Sequence, residues 1–415
     1  MAAPPSHVRH DGFLAMFVPE SDLDGLQRFH FIVKRTYQFV DGDLLEPAEW
    51  QRTLVQADQY AEGGGPYDAS LLDESELSPP IESTDVLVRG NIYAPGGEAN
   101  FCRPSIAVTH EKGLQRRELL VMGDRFAILR PGVAPVFTPA ARFSVLPMRW
   151  ELCYGGVERQ HSASPLLCPT NPIGTGFMVS PLDGDAPRDR WTPLPNIENP
   201  SDPCTVDNLV VPHDRINRVR SPASFLPFPK HWEPRAQRAG MPASAKPFWT
   251  LLHGSETQVG QAFKETQADF WSSAAPGMTF PRLLGHEKIT LKHLSRTSEE
   301  VSFRLPTKNP RLRAAFDDGP MLDVALSIAR VSVDVEHGEV VVNWRGTLNA
   351  SEGLTLEKLK RLPIELDGAL ALPAPLVGTG FPLDLLRVGP PGAEGSAYPT
   401  IELLDPRGLP KPGGL

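Results

Sequence analysis

The chain has 415 residues, 44 of them Pro and 35 Gly, with 40% apolar and 22% charged residues and a net charge of −9. Proline at about twice its usual share excludes a long-helix or coiled-coil protein, because proline lacks the N–H a helix needs and clashes with the preceding turn. An acidic chain repels phosphate backbones, which speaks against nucleic-acid binding.

The predicted elements are mostly strands. The longest unbroken apolar run, Phe13 to Val18, is far shorter than the roughly 20 residues of a membrane helix, and the first ten residues lack the basic-then-apolar pattern of a secretion signal. A cytoplasmic protein with no membrane partner is expected. Residues 30–40 place Phe31, Val33, Tyr37 and Phe39 on one face and Lys34, Thr36 and Gln38 on the other, the period of a half-buried strand. Asp41-Gly42-Asp43 turns the chain. Further strands are expected at 85–93, 104–110, 117–122, 288–294 and 300–305. The clearest hairpin sets 329–335 against 339–344, with Val331, Val333 and Val335 alternating on one arm and Val340, Val342 and Trp344 on the other. His337-Gly338 supplies its turn.

Residues 131–250 are Pro-rich and weakly periodic. They read as long ordered loops over a sheet core, with Trp150, Trp191, Trp232 and Trp249 as buried anchors. Short helices are expected at 232–240 and 351–362, and the chain from Ala371 on is Pro- and Gly-rich. The fold class is mainly β: antiparallel sheets, sandwich or barrel-like, with long ordered loops and a few short helices. Two parts are expected, a β-rich core over 1–310 and a hairpin-containing segment over 311–415.

The charge is uneven. Residues 41–90 hold 12 acids and two bases, whereas 213–240 hold six bases and two acids. The ordinary reading of the acidic run is a solvated loop; the sharper one is a face that meets a basic partner protein. The four cysteines (Cys102, Cys153, Cys168, Cys204) form no Cys-x-x-Cys pair and are expected as free, buried thiols.

The search for chemistry finds no catalytic, cofactor or metal constellation. No Gly-x-Ser-x-Gly elbow is present. His110-Glu111 and His286-Glu287 are followed by Leu114 and Thr290 where a zinc motif needs a second histidine. Asn171-Pro172-Ile173-Gly174-Thr175-Gly176 lacks the Lys-Ser/Thr of a phosphate loop and reads as a tight turn. Gly123-Asp124-Arg125 follows an apolar strand and reads as a turn cap with paired neighbours. His213-Asp214 reads as a surface loop. Glu151 and Glu198 are candidates for a carboxylate pair at a distance the sequence does not fix.

Read in order, the loop motifs have a family likeness. They run from Thr84-Asp85-Val86-Leu87-Val88-Arg89-Gly90 and Ala94-Pro95-Gly96-Gly97 through Gly123-Asp124-Arg125 to Pro147-Met148-Arg149-Trp150-Glu151 with Tyr154-Gly155-Gly156. Then come Asn171-Pro172-Ile173-Gly174-Thr175-Gly176-Phe177, Leu194-Pro195-Asn196-Ile197-Glu198, Trp232-Glu233-Pro234-Arg235, Ala275-Pro276 and Leu284-Gly285-His286-Glu287. Over about residues 25–310 this resembles a bacterial domain-of-unknown-function family encoded beside type VI secretion genes, and Trp344-Arg345-Gly346 fits the pattern that follows. The resemblance implies an adaptor or chaperone that binds a cognate secreted effector and helps load it onto the spike or its PAAR-type tip. His286 stands where the family usually has an acid, and Met148 and Trp150 replace Leu and Tyr. The family brings no catalytic residue. Its motif residues (Asp85, Gly90, Gly123 to Arg125, Glu151, Gly155, Gly156, Asn171, Pro172, Gly174, Gly176, Asn196, Glu198, Trp232 and Arg235) are structural or partner-binding candidates. The alternatives are a hydrolase-like enzyme using Asp124, Glu151 or Glu198 in a cleft, and a structural component of the secretion machine. For the adaptor, strand addition to an open sheet edge and aromatic anchors on rigid loops are the expected means of holding a client.

Overall fold

Alternating side chains account for the central sheet. Along strand Gln27–Gln38, Phe29, Phe31, Val33 and Tyr37 face one side, His30, Ile32, Lys34 and Thr36 the other, and all eight are buried. This corrects the half-buried expectation: the strand is covered on both faces. The computed structural model describes residues 7–9, 13–21, 27–39, 44–110, 113–158, 165–180, 190–238, 268–307, 309–316, 321–349, 359–361, 364–366 and 369–371.

The sheet runs Leu14–Ser21, Gln27–Gln38, Glu339–Asn349, Ser327–Asp334, Thr84–Arg89, Thr279–Phe280, with Glu46–Pro47 as a seventh strand against Gln27–Gln38. Its pairings are antiparallel except that of Ser327–Asp334 with Thr84–Arg89, which is parallel. The expected hairpin sits at its centre, with Val331 opposite Val342, Val333 opposite Val340, and Gly338 at φ 66° in the turn. The sheet thus joins residues from both sides of position 310.

A four-stranded sheet orders Gly113–Glu118, Ser105–His110, Lys288–Lys292 and Glu300–Arg304. Its inward Ile106, Val108, Ile289, Leu291, Val301 and Phe303 share one core with Val33, Val331, Val342 and Trp344 of the central sheet. Two three-stranded sheets lie in the loop region. Phe101–Cys102, Leu120–Met122 and Ile197–Glu198 join that core through Cys102, Val121 and Ile197. Val133–Phe137, Phe126–Arg130 and Arg190–Pro193 cover a separate cluster of Ala127, Leu129, Met178, Leu194, Cys204 and Leu209. Among the described residues none of the sheets closes into a barrel. The rest of the described residues between 131 and 238 form long loops with two- and three-residue strands and 3₁₀ turns, as their proline content dictates.

Among the described residues helical structure is limited to 3₁₀ turns, the longest being His213–Arg218. The helix expected at 232–240 is the turn Ala236–Arg238, and residues 239–240 lie outside the described residues. Of the helix expected at 351–362, residues 351–358 and 362 lie outside as well. The remainder, Leu359–Arg361, is extended because it pairs with Arg311–Phe316. The turn at Asp41-Gly42-Asp43, Trp249 and the tail beyond Ala371 are also outside. No helix among the described residues is long and apolar enough to cross a membrane.

Candidate functional site

The motif residues lock loops. Asp85 accepts from Ser272 Oγ (2.7 Å), Ser273 N (2.6 Å) and Ser273 Oγ (2.9 Å), tying the 268–275 loop to the central sheet. Glu151 spends its two oxygens on the N–H and hydroxyl of Ser70. Asn171 donates to the carbonyls of Trp150 (2.9 Å) and Tyr154 (3.0 Å), with Pro172 buried beside it. Asn196 joins Met122 O (3.1 Å) to Asp124 (2.9 Å). Arg125 pairs with Glu198, whose other oxygen accepts from Cys204 N. The Trp232 indole donates to Pro66 O (3.0 Å), and Arg235 donates to Phe228 O (2.6 Å) and Phe270 O (2.7 Å).

The motif glycines let these loops touch. A Cβ on Gly123 would sit 2.1 Å from Ala141 O, and one on Gly155, at φ 150°, 2.1 Å from Asn171 O, distances no side chain tolerates. Gly156, Gly174 and Gly176 pack against the same loops, and the Gly90 carbonyl accepts from Met148 N. Glu151 and Glu198 therefore serve different partners. Glu151 borders a surface depression of about 550 Å³ shared with Glu62, Asp68 and Arg149, but Ser70 holds both of its oxygens. His213 and Asp214 lie exposed on their 3₁₀ turn, as read from sequence. The four cysteines are free and buried.

Beneath the loops, the second face of the central sheet carries buried charge. Lys34, Arg330 and Arg345 project from it and meet residues of the 51–79 segment. Lys34 pairs with Glu76 (2.7 Å) and donates to Thr53 O (2.8 Å). Glu74 bridges Arg235 (2.8 Å) and Arg330 (3.4 Å). Arg345 donates to Ser78 Oγ and Pro79 O; burial, with Arg330 beside it, pulls its guanidinium down to about 9. Lys230 pairs with Asp58 (3.0 Å) and, outweighing burial, holds that carboxyl low. Burial keeps the neighbouring His231 neutral, with its pKa down to about 3. At the layer's rim, burial raises the Asp334 carboxyl but Arg89 and Arg52 outweigh it and hold it far below the carboxylate range. The cavity among these groups measures about 60 Å³, room for water and not for a substrate.

This layer corrects the reading of the acidic run as a solvated loop. Asp58, Glu74, Glu76 and Asp85 have buried side chains, while Glu46, Glu49, Glu62, Asp68 and Glu82 remain exposed. Two of the buried acids take their cations, Lys230 and Arg235, from the basic 213–240 segment. The opposite charges of the two segments are in part spent on each other inside the molecule.

One surface stands apart. On the small sheet of Val133–Phe137, Phe126–Arg130 and Arg190–Pro193, Ala127 and Leu129 of the middle strand face inward and are buried, and Trp191, Ile128 and Val136 form an outer row directly across three strands. Trp191 is 65% exposed, Val133 59%, Val136 57% and Phe126 38%. The Phe126 and Trp191 rings lie 6.1 Å apart. Trp191 was expected to be a buried anchor; it faces out because the next residue in the alternation, Thr192, pairs with buried Ala127. Trp150 and Trp232 are buried as expected, packed edge to face at 5.6 Å. A signal for this surface exists in the sequence: no acid occurs from Arg125 to Trp150, in a chain with 50 acids.

The model of a family described as an uncharacterized protein conserved in bacteria, DUF2169, matches residues 24–345. No curated protein and no solved structure matches.

Proposed function

The chain belongs to this bacterial family, and from that premise we propose that it is a binding protein without chemistry of its own, an adaptor or chaperone for a secreted protein. The observation that carries the reading is the outer Trp191–Ile128–Val136 row, whose two ends, Trp191 and Val136, are exposed. A large aromatic left in water on a rigid sheet costs solubility and supplies an interface anchor. The reading is also supported by where the motif polar groups are spent: Asp85, Glu151, Asn171, Asn196 and Glu198 all hold loops in place. Those loops and the buried charged layer form a stiff frame, which suits a protein that must present a preformed surface.

The finer assignment rests on the family resemblance in the loop motifs. The client is a type VI secretion effector, held in the cytoplasm and passed to the spike or its PAAR-type tip; no nucleic acid or membrane takes part. The test is co-expression of the chain with each effector candidate encoded beside its gene. One candidate should give a complex that survives size-exclusion chromatography. If none does, the adaptor reading fails.

A further inference from the structure

Resting on the binding reading, with the Trp191 row as its side-chain anchor, we infer that the free edge of strand Gly113–Glu118 takes up a strand of the client, an extended segment with an apolar side chain opposite Leu114. The four-stranded sheet ends on this strand. Its opposite edge is covered at Arg304, where Leu45 N–H donates to the carbonyl (3.1 Å) and Leu44 bridges to the same residue. Leu119 N–H donates to Pro104 O (3.0 Å), and the register runs on from there to Gly113 opposite His110. In an antiparallel pair alternate residues bond to the neighbouring strand, so Gly113, Gln115 and Arg117 turn their backbone groups inward. Leu114, Arg116 and Glu118 turn theirs out, where no strand pairs with them among the described residues.

Such an edge is normally blunted by proline or by charges lying across it. This strand has no proline, and its arginines are tied back. Arg117 donates to Gly277 O and Thr279 O and lies over the Phe280 ring. Arg116 pairs with Glu118 (3.1 Å) and donates to Ser105 Oγ (3.0 Å). The Arg116 carbonyl accepts from Arg117 Nη1 (3.2 Å) and keeps a second lone pair. Leu114 stands 63% exposed at the end of the edge and gives an added strand its apolar contact, while the main chain supplies the hydrogen bonds. A second copy of this chain is a poor fit. The twofold antiparallel register that engages all three outward positions sets Arg116 against Arg116, and like charges directly opposite repel. Glu118 and Phe126 are eight residues apart in the chain, hence at most about 28 Å, so one client reaches both the edge and the aromatic anchor.

The test uses the full chain and fluorescein-labelled fifteen-residue peptides that tile the co-purifying effector, followed by fluorescence anisotropy. At least one peptide should bind saturably. That peptide is then made with N-methyl groups on alternate residues, in both phases. The phase whose N–H groups face the edge should lose at least about tenfold in affinity and the other should stay within about threefold, because only the first removes main-chain bonds. Leu114→Pro should weaken the unmodified peptide about tenfold or more, and its melting temperature should hold, since that N–H points out of the fold. The amides of Leu114, Arg116 and Glu118 should exchange quickly in the free chain and at least about tenfold more slowly with the peptide bound. Slow exchange at those amides in the free chain, equal losses in the two N-methyl phases, or an unaffected Leu114→Pro variant overturns the inference. So does a dimer in sedimentation that Leu114→Pro dissolves, because the edge would then pair with itself. An effector complex that survives Leu114→Pro, with no peptide binding, sinks this site and leaves the binding reading standing. If no effector co-purifies, the binding reading falls and takes this site with it.

Discussion

Replacing Glu74 by Gln should be among the most costly single changes in the molecule. Its side chain is almost fully buried, with Oε1 2.8 Å from Arg235 and Oε2 3.4 Å from Arg330. Its own carbonyl accepts from Arg330 as well (3.2 Å). Arg235 cannot swing out to water, because Phe228 O and Phe270 O hold it. Neutralising the carboxylate therefore strands two buried cations, a change that costs about 3–5 kcal/mol where only one partner of a buried pair is removed. An exposed pair would cost about 0–1 kcal/mol. Urea unfolding followed by tryptophan fluorescence measures the difference, since buried Trp150 and Trp232 report on the same loops. A double-mutant cycle with Arg235→Gln should return a coupling of at least about 1.5 kcal/mol, within the range for groups in one network. A loss below about 1 kcal/mol for Glu74→Gln, with no coupling, would refute the buried-layer argument.

Stability should also fall on mild acidification. The folded pKa of His231 is depressed by burial to about 3, so below its unfolded value of roughly 6.5 the unfolded chain binds the extra proton. The slope should be about 1.4 kcal/mol per pH unit between roughly pH 6 and 4, and His231→Gln should flatten it in urea titrations at each pH. Below about pH 4 the depressed Asp334 carboxyl adds a second loss that His231→Gln does not remove. Gly155→Ala should destabilise by about 3 kcal/mol or more, since its Cβ would meet the Asn171 carbonyl at 2.1 Å; a near-normal melting temperature would show that the loop yields. Cys102, Cys153, Cys168 and Cys204 are buried, and burial pushes the Cys102 thiol up to about 12. All four should react with a thiol reagent in denaturant and none rapidly in the native protein.

Strands were legible in the sequence wherever one side of a period-two pattern was apolar. The 329–344 hairpin and the strands near 85, 105, 288 and 300 follow directly from that pattern. Its opposite side was not legible. The polar side carrying Lys34 read as solvent-facing because charge normally marks an exposed face, and only the chain folding back through 51–79 buries Lys34, Arg330 and Arg345. The partners lie as far as 267 residues apart, as Arg345 and Ser78 do, a pairing no local window contains. Trp191 failed in the other direction. A lone tryptophan in a Pro-rich stretch reads as an anchor in the core, and its outward aim is set by register against Ile128. The loop motifs were legible as a set, while their roles as locks needed the coordinates of Ser70, Ser272 and Ser273, which carry no motif signal.

The central claim is that the chain holds its client on the outer face of the small sheet. Site-specific photo-crosslinking tests it most directly: benzoyl-phenylalanine is placed at Val136, and separately at Leu284, which is no less exposed, 62% against 57%, but lies outside that sheet, in cells co-expressing each effector candidate. The account predicts a crosslinked chain–effector product from position 136 and none from position 284. A product from 284 with none from 136 would contradict it.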